Sequence, residues 1–168
     1  MDRNRDQLDA RTLLVRPGEG DDIDGTIVKV RAGQLGGDFS IMEAEVGPNE
    51  LLAPHVHERE DQAVYVISGA LEFEVGGENG IRFTAPAGSY VIKPRGVTHA
   101  FWNKGSEAAR YIELSGRANF EAFVEGSEGE PRQKVVATAR PKYGITFFPH
   151  RIPKLLKEHG LTGVVGMD

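Results

Sequence analysis

The chain has no cysteine among its 168 residues. That absence excludes disulfides, thiolate zinc sites, iron–sulfur clusters and a cysteine nucleophile. Any metal must be held by His, Asp, Glu, Gln or Asn. Runs of basic residues are missing too, and 20 Lys and Arg stand against 25 Asp and Glu, for a net charge of −5. Binding to a phosphate backbone relies on clustered Lys and Arg, so nucleic acid is not an expected partner. The longest apolar stretch, Ala63 to Ile67, falls far short of the roughly 20 residues a spanning helix needs, so no membrane partner is expected. The opening MDRNRDQLDAR lacks the apolar centre of a secretory signal, and a cytoplasmic location is expected.

What the chain has in excess is turn residues. Its 21 Gly and 9 Pro make up about 18% of the sequence, against roughly 12% in average usage. They punctuate short segments of β character. Thr26 to Val30, Phe39 to Val46, Gln62 to Ser68, Leu71 to Val75, Ile81 to Thr84, Tyr90 to Ile92, Val97 to Trp102 and Ala109 to Leu114 recur at spacings near ten residues. This rhythm predicts an all-β sandwich or barrel. Gly69-Ala70 between two of the strands predicts a hairpin. After residue 116 the pattern turns helical: Ala118 to Glu125, Arg132 to Ala139 and Ile152 to Glu158 carry apolar residues at helical spacing, with a flexible connector from Glu125 to Pro131. The length fits one domain, read as a barrel with an N-terminal arm over 1–116 and a helical extension packed outside it over 117–168.

Three of the five histidines fall in two short segments, Pro54-His55-Val56-His57 and Thr98-His99. On a strand, residues i and i+2 point to one face, so His55 and His57 can converge on a point. Two imidazoles on one face are half of a metal site. Gln62 begins a strand in phase with Val64 and Val66, and His99 alternates with Phe101, so all of these side chains point to the expected interior.

The spacing around these residues resembles that of the cupin superfamily. Gly88, Pro94, Gly96, His99 and Asn103 match every fixed position of the second cupin motif, a coincidence expected on the order of once per million start positions from background usage. His55, His57 and Gly69 match the first motif, in which Gln62 occupies the usual Glu position. The leading Gly is displaced, with seven residues instead of five between Gly47 and His55. Within the superfamily, HVHEREDQAVYVISGALEFEV is most similar to small single-domain cupins of the quercetin-dioxygenase-like kind.

The resemblance implies a jelly-roll barrel and one divalent metal ion, Fe, Mn, Ni or similar, held by His55, His57, Gln62 and His99. It also implies an enzyme acting on a small organic molecule, with dioxygenase or other oxidoreductase chemistry on an enol-like or phenolic substrate. A redox-neutral isomerase, lyase or cyclase and a non-catalytic small-molecule binder are the alternatives within the same barrel. A homodimer is a further expectation, paired through N-terminal strands, for which Thr12 to Val15 is available. Gln62 leaves a three-imidazole site one unit more positive than a carboxylate would, and it cannot act as a general base.

The remaining polar groups read as surface. Glu58, Glu60 and Asp61 are expected in a solvated loop, with Asp61 out of register with the interior. Glu43, Glu45, Glu72 and Glu74 are expected on half-exposed strand faces, His150 and His159 on the surface, and Arg95 at the barrel mouth. Phe73, Phe83, Tyr90, Phe101 and Trp102 are expected in the core or pocket wall.

Overall fold

A computed structural model describes residues 9–166. Twelve strands form two sheets: β1 (Asp21–Ile23), β2 (Thr26–Val30), β3 (Phe39–Val46), β4 (Glu50–His57), β5 (Gln62–Ser68), β6 (Ala70–Val75), β7 (Ile81–Pro86), β8 (Tyr90–Lys93), β9 (His99–Trp102), β10 (Ala109–Gly116), β11 (Ile145–Phe147) and β12 (Gly163–Val164). The first sheet runs β1-β2-β3-β10-β5-β8 and the second β11-β4-β9-β6-β7, with β12 added parallel to β4. From β3 onward the chain passes repeatedly from one sheet to the other, which makes the barrel a jelly roll of the cupin type.

That crossing corrects the expected hairpin. β5 and β6 lie in different sheets, because only Gly69 separates them, fewer than the two residues a tight hairpin loop needs. Gly69 turns the chain with φ +76, and a Cβ there would stand 3.1 Å from Ala109 Cβ. Both conditions select glycine.

Period-two alternation sets the layering inside the barrel. Val64 and Val66 on β5, Val91 on β8, Phe73 on β6, Phe101 on β9 and Tyr111 on β10 form one apolar layer. Burying each of the two phenylalanines contributes roughly 1.5–3 kcal/mol. The same faces then turn polar toward one end: Gln62, Lys93, His99, Glu113 and Ser115, with His55 and His57, are all buried. Apolar contacts hold the barrel at one end and leave the other for chemistry.

Four α-helices lie among the described residues: α1 (Ala10–Leu13), α2 (Asn119–Ser127), α3 (Arg132–Tyr143) and α4 (Ile152–His159). Helix α4 packs on the outer face of the second sheet, where Ile152 and Leu155 meet Leu51, Ala53, Ala100 and Trp102. α2 and α3 also pack outside the barrel, as expected, at its mouth rather than against a sheet face. They lie over the open end, with Phe120, Phe123, Val124, Val135 and Val136 turned onto the cavity. The extension also supplies β11 and β12, too short to stand out in a sequence, and α2 continues to Ser127, into the expected connector.

Several expected positions change. Within the single chain, Thr12 and Leu13 end a short helix and Leu14 and Val15 follow it without strand pairing. Tyr90, out of phase with buried Val91, is on the outside and 71% exposed; Phe83 stacks on its register partner Phe73 but stays partly exposed because β7 is an edge strand. Glu74 is buried between Arg82 and Arg151. His159 is half-buried, its ring 4.2 Å from that of Trp102. No helix among the described residues is long and apolar enough to cross a membrane.

Candidate metal centre

The two histidines of β4 reach the interior by way of a bulge. Leu52 pairs with Phe101 and His55 with His99, so β4 spends three residues where β9 spends two. The extra residue reverses the alternation, turning Leu52, His55 and His57 all inward. It lies at Ala53-Pro54, the stretch where the first motif carries its additional residues, and Pro54 fits a bulge because it needs no ladder donor.

His55, His57 and His99 thereby converge. Ring centroids are 4.4 Å apart for His55–His99, 5.0 Å for His55–His57 and 5.7 Å for His57–His99. One nitrogen from each lies within 4.8 Å of the others. Each ring is oriented by its other nitrogen. His55 Nδ1 donates to the Ala53 carbonyl at 2.7 Å and His99 Nδ1 to the Val97 carbonyl at 3.1 Å. His57 Nδ1 donates to Glu60 Oε1 at 3.2 Å. With Nδ1 protonated in all three, every Nε2 presents a lone pair to the same point.

That arrangement is unfavourable without a cation. His55 and His99 bring their Nε2 atoms to 3.1 Å, lone pair against lone pair, and His57 Nε2 is buried without a hydrogen-bond partner. Burial, more than any neighbouring charge, pushes the His55 and His99 imidazoles well below their ordinary pKa and brings His57 to about 3, with the Lys93 ammonium adding to each. Neutral imidazoles are the form that binds metal. The three histidines are positioned to hold a metal ion, and the donor set fits one.

Gln62 faces them from the other sheet and lines the same cavity. Its Nε2 donates to Ser115 Oγ at 2.8 Å, while Oε1 is buried with no partner. Asp61 is turned away, paired with Arg95 at the surface, as its register predicted. Glu58 stays in solvent with Arg140.

Glu60 is the correction in this loop, buried to 1% exposure rather than solvated. Besides His57 it accepts the Asn119 backbone N–H through Oε2 at 3.1 Å, so it also caps the start of α2. Burial raises its pKa to about 7, opposed by the backbone N–H groups of Asn119 and Phe120. Lys93 and Glu113, not foreseen as site residues, form a buried ion pair in the cavity wall with Nζ to Oε2 at 2.6 Å. Their strand phase carried the signal, since Lys93 alternates with Val91 and Glu113 with Tyr111.

The cavity has a volume of about 420 Å³. Phe101, Phe120, Phe123, Phe147 and Tyr111 wall it, and His55, His57, Gln62, Lys93 and Glu113 supply its polar groups. It is sized for a small organic ligand.

Comparison with known proteins agrees with this geometry. Residues 42–115 match the family model described as the cupin domain. Together with the jelly roll, the match supports placing the chain in the cupin superfamily. A curated relative, "Polyketide synthase CurC" of Streptomyces cyaneus, is 28% identical over 113 residues, 67% of this chain and 70% of that protein. Among solved structures, a candidate sugar phosphate isomerase of Acidithiobacillus ferrooxidans shares the fold at a TM-score of 0.52 and 20% identity, over 65% of this chain and 78% of its own. A double-stranded β-helix protein of Klebsiella pneumoniae is 26% identical with a TM-score of 0.49, over 67% of this chain and 91% of that one.

Proposed function

We propose that this protein is a metal-dependent enzyme acting on a small enol-like or phenolic molecule. The observation that carries the reading is the set of three Nδ1-anchored imidazoles presenting Nε2 to one point at an aromatic-walled cavity. His55, His57 and His99 hold one divalent ion, and Gln62 is the fourth ligand through Oε1 or accepts a hydrogen bond from a bound water. When bound, the ion supplies a Lewis acid that polarises an oxygen of the substrate. The chain's own part is to desolvate the ligand between Phe101, Phe120, Phe123 and Phe147, and to exclude bulk water under the α2–α3 roof. The curated relative's name, a polyketide synthase component, supports substrates rich in enolisable carbonyls and phenols.

Two reaction types use such a substrate. One consumes oxygen, as in the quercetin-dioxygenase-like kind. The other is redox-neutral isomerisation, elimination or ring closure, and Gln62 favours it, because a neutral amide leaves the ion at +2 instead of +1 and strengthens it as a Lewis acid. The test loads metal-depleted protein with Fe(II), Mn(II), Ni(II) or Zn(II) and follows turnover of phenols and 1,3-dicarbonyl compounds with and without oxygen. Turnover that needs both metal and His99 is expected. Equal turnover by metal-depleted and metal-restored protein overturns the reading, and activity that persists without oxygen selects the redox-neutral reaction. A ligand that binds tightly and is returned unchanged under every condition selects the binding module.

A further inference from the structure

With an amide at position 62, none of the metal-facing residues is a carboxylate able to take a proton from a ligand. The structure places two other groups there. Gln62 is the register partner of Lys93 on β8 and, across its other edge, of Ser115 on β10. Glu113 stands two residues before Ser115 on the same face. Lys93 and Glu113 are 2% and 5% exposed, and both line the cavity. Lys93 Nζ donates to Glu113 Oε2 and lies 5.6 Å from the centre of the Phe101 ring. Glu113 Oε1 is buried and has no hydrogen-bond partner among the described residues.

Such a pair is poorly explained by stability. Removing two charges from water costs about as much as their attraction returns, and an apolar pair of similar volume holds a barrel equally well. A buried carboxylate oxygen left without a donor adds a further cost. Ion pair and open oxygen together have the form of a site that receives a hydroxyl.

We propose that Lys93 and Glu113 are the anion-holding and proton-accepting groups of this cavity for a ligand bearing an acidic enol or phenol hydroxyl. The ligand O–H bond breaks, the proton passes to Glu113 Oε1, and the oxygen anion left behind is held by Lys93 Nζ. Charge balances: a Lys93–Glu113 ion pair becomes a Lys93–enolate pair beside a neutral carboxylic acid, and ligand release reverses the transfer. Burial raises the proton affinity of Glu113, opposed by Lys93, which suits an acceptor. The role that position 62 has lost is thus relocated to β10. This rests on the enol or phenol reading above and specifies which hydroxyl chemistry the cavity accepts.

The test uses zinc-loaded protein, full chain, and 4-nitrophenol, whose anion has its own visible absorption band. It is run at a pH where the free probe is protonated. Wild type is expected to bind the probe as the anion. Glu113→Gln is expected to bind it neutral or at least tenfold more weakly, and Lys93→Met to lose the anion band, with zinc content unchanged in both. The proposal is overturned if both variants, folded by circular dichroism, give the wild-type band and affinity, or if zinc-loaded wild type does not bind the probe. Should a single variant fail to fold, Lys93→Met/Glu113→Leu removes both charges together and is read in the same way. Zinc binding by His99→Ala equal to wild type instead overturns the metal centre, so the two readings fail separately.

Discussion

His57 Nδ1 lies 3.2 Å from Glu60 Oε1, and the second oxygen of the same carboxylate accepts the Asn119 backbone N–H. One buried carboxylate therefore orients a histidine of the metal centre and anchors the helix that roofs the cavity. Outer partners of this kind set the tautomer and basicity of a ligating imidazole. Glu60→Gln keeps an acceptor oxygen but removes the charge. The expected outcome is a metal affinity lowered about 10–100-fold with the fold retained, measured by competition against a chromophoric chelator. Unchanged affinity would mean that Glu60 serves only α2.

Acid provides a second test on metal-free protein. His55, His57 and His99 have folded pKa values below the ordinary 6.5. Their stabilising contribution is full above about pH 6.5 and is lost as pH falls, because the unfolded chain takes up protons that the folded one refuses. Glu60 works in the opposite direction. Its pKa rises from 4.5 to about 7 on folding, so its contribution is full below 4.5 and is lost as pH rises through about 7. Glu113, also raised, has the same sign. Three imidazoles outnumber the opposing carboxyls, so unfolding takes up protons on balance between pH 6.5 and 4.5, and each net proton costs about 1.4 kcal/mol of stability per pH unit as pH falls. Urea midpoints across this range measure the slope. Glu60→Gln removes one opposing group, so its slope is expected to steepen by about one further proton; a flat profile for both proteins contradicts the assignment.

The barrel and the three histidines were legible in the sequence because both depend on local periodicity. Gly88, Pro94, Gly96, His99 and Asn103 fall within sixteen consecutive residues, and the strand phase of Gln62 and His99 follows from their neighbours alone. Glu60 was not legible. Its burial depends on Asn119, 59 positions away, and a Glu between Arg59 and Asp61 reads as solvent-facing. The roof is also a long-range fact, since the apolar faces of α2 and α3 give no sign of whether they cover a sheet or a cavity. Lys93 and Glu113 lay on interior phases, but a charge at such a position looks like the end of a strand until its partner on the neighbouring strand is known. The mistaken hairpin came from counting Ala70 as loop when it opens β6.

Glu74 ties α4 to the barrel. Arg82 donates to its Oε2 through Nε and Nη2, at 2.9 and 2.7 Å, while Arg151 takes Oε1. Arg151→Met leaves Oε1 buried without a donor, at a cost of roughly 1–3 kcal/mol. Urea unfolding is expected to show that loss with metal binding unaltered. A loss under about 0.5 kcal/mol, the range of ordinary surface changes, would mean that Arg82 alone satisfies the carboxylate.

Gln62→Glu addresses what position 62 contributes. In the wild type the amide nitrogen donates to Ser115 Oγ; a carboxylate at the same place accepts from that hydroxyl instead, so the side chain keeps its anchor. The substitution adds a negative charge beside three neutral imidazoles and lowers the net charge of the metal-loaded site from +2 to +1. Hard, oxygen-preferring ions gain most from a carboxylate. Affinity for Mn(II) is therefore expected to rise at least tenfold, and by more than affinity for Zn(II), in parallel titrations. If the site is silent for want of a carboxylate at position 62, activity appears with the substitution. If Lys93 and Glu113 already take the ligand's proton, Gln62→Glu weakens the Lewis acid and turnover falls while metal occupancy rises. Measuring occupancy and turnover on the same samples separates these outcomes, and an affinity for Mn(II) that does not change removes Gln62 from the coordination sphere.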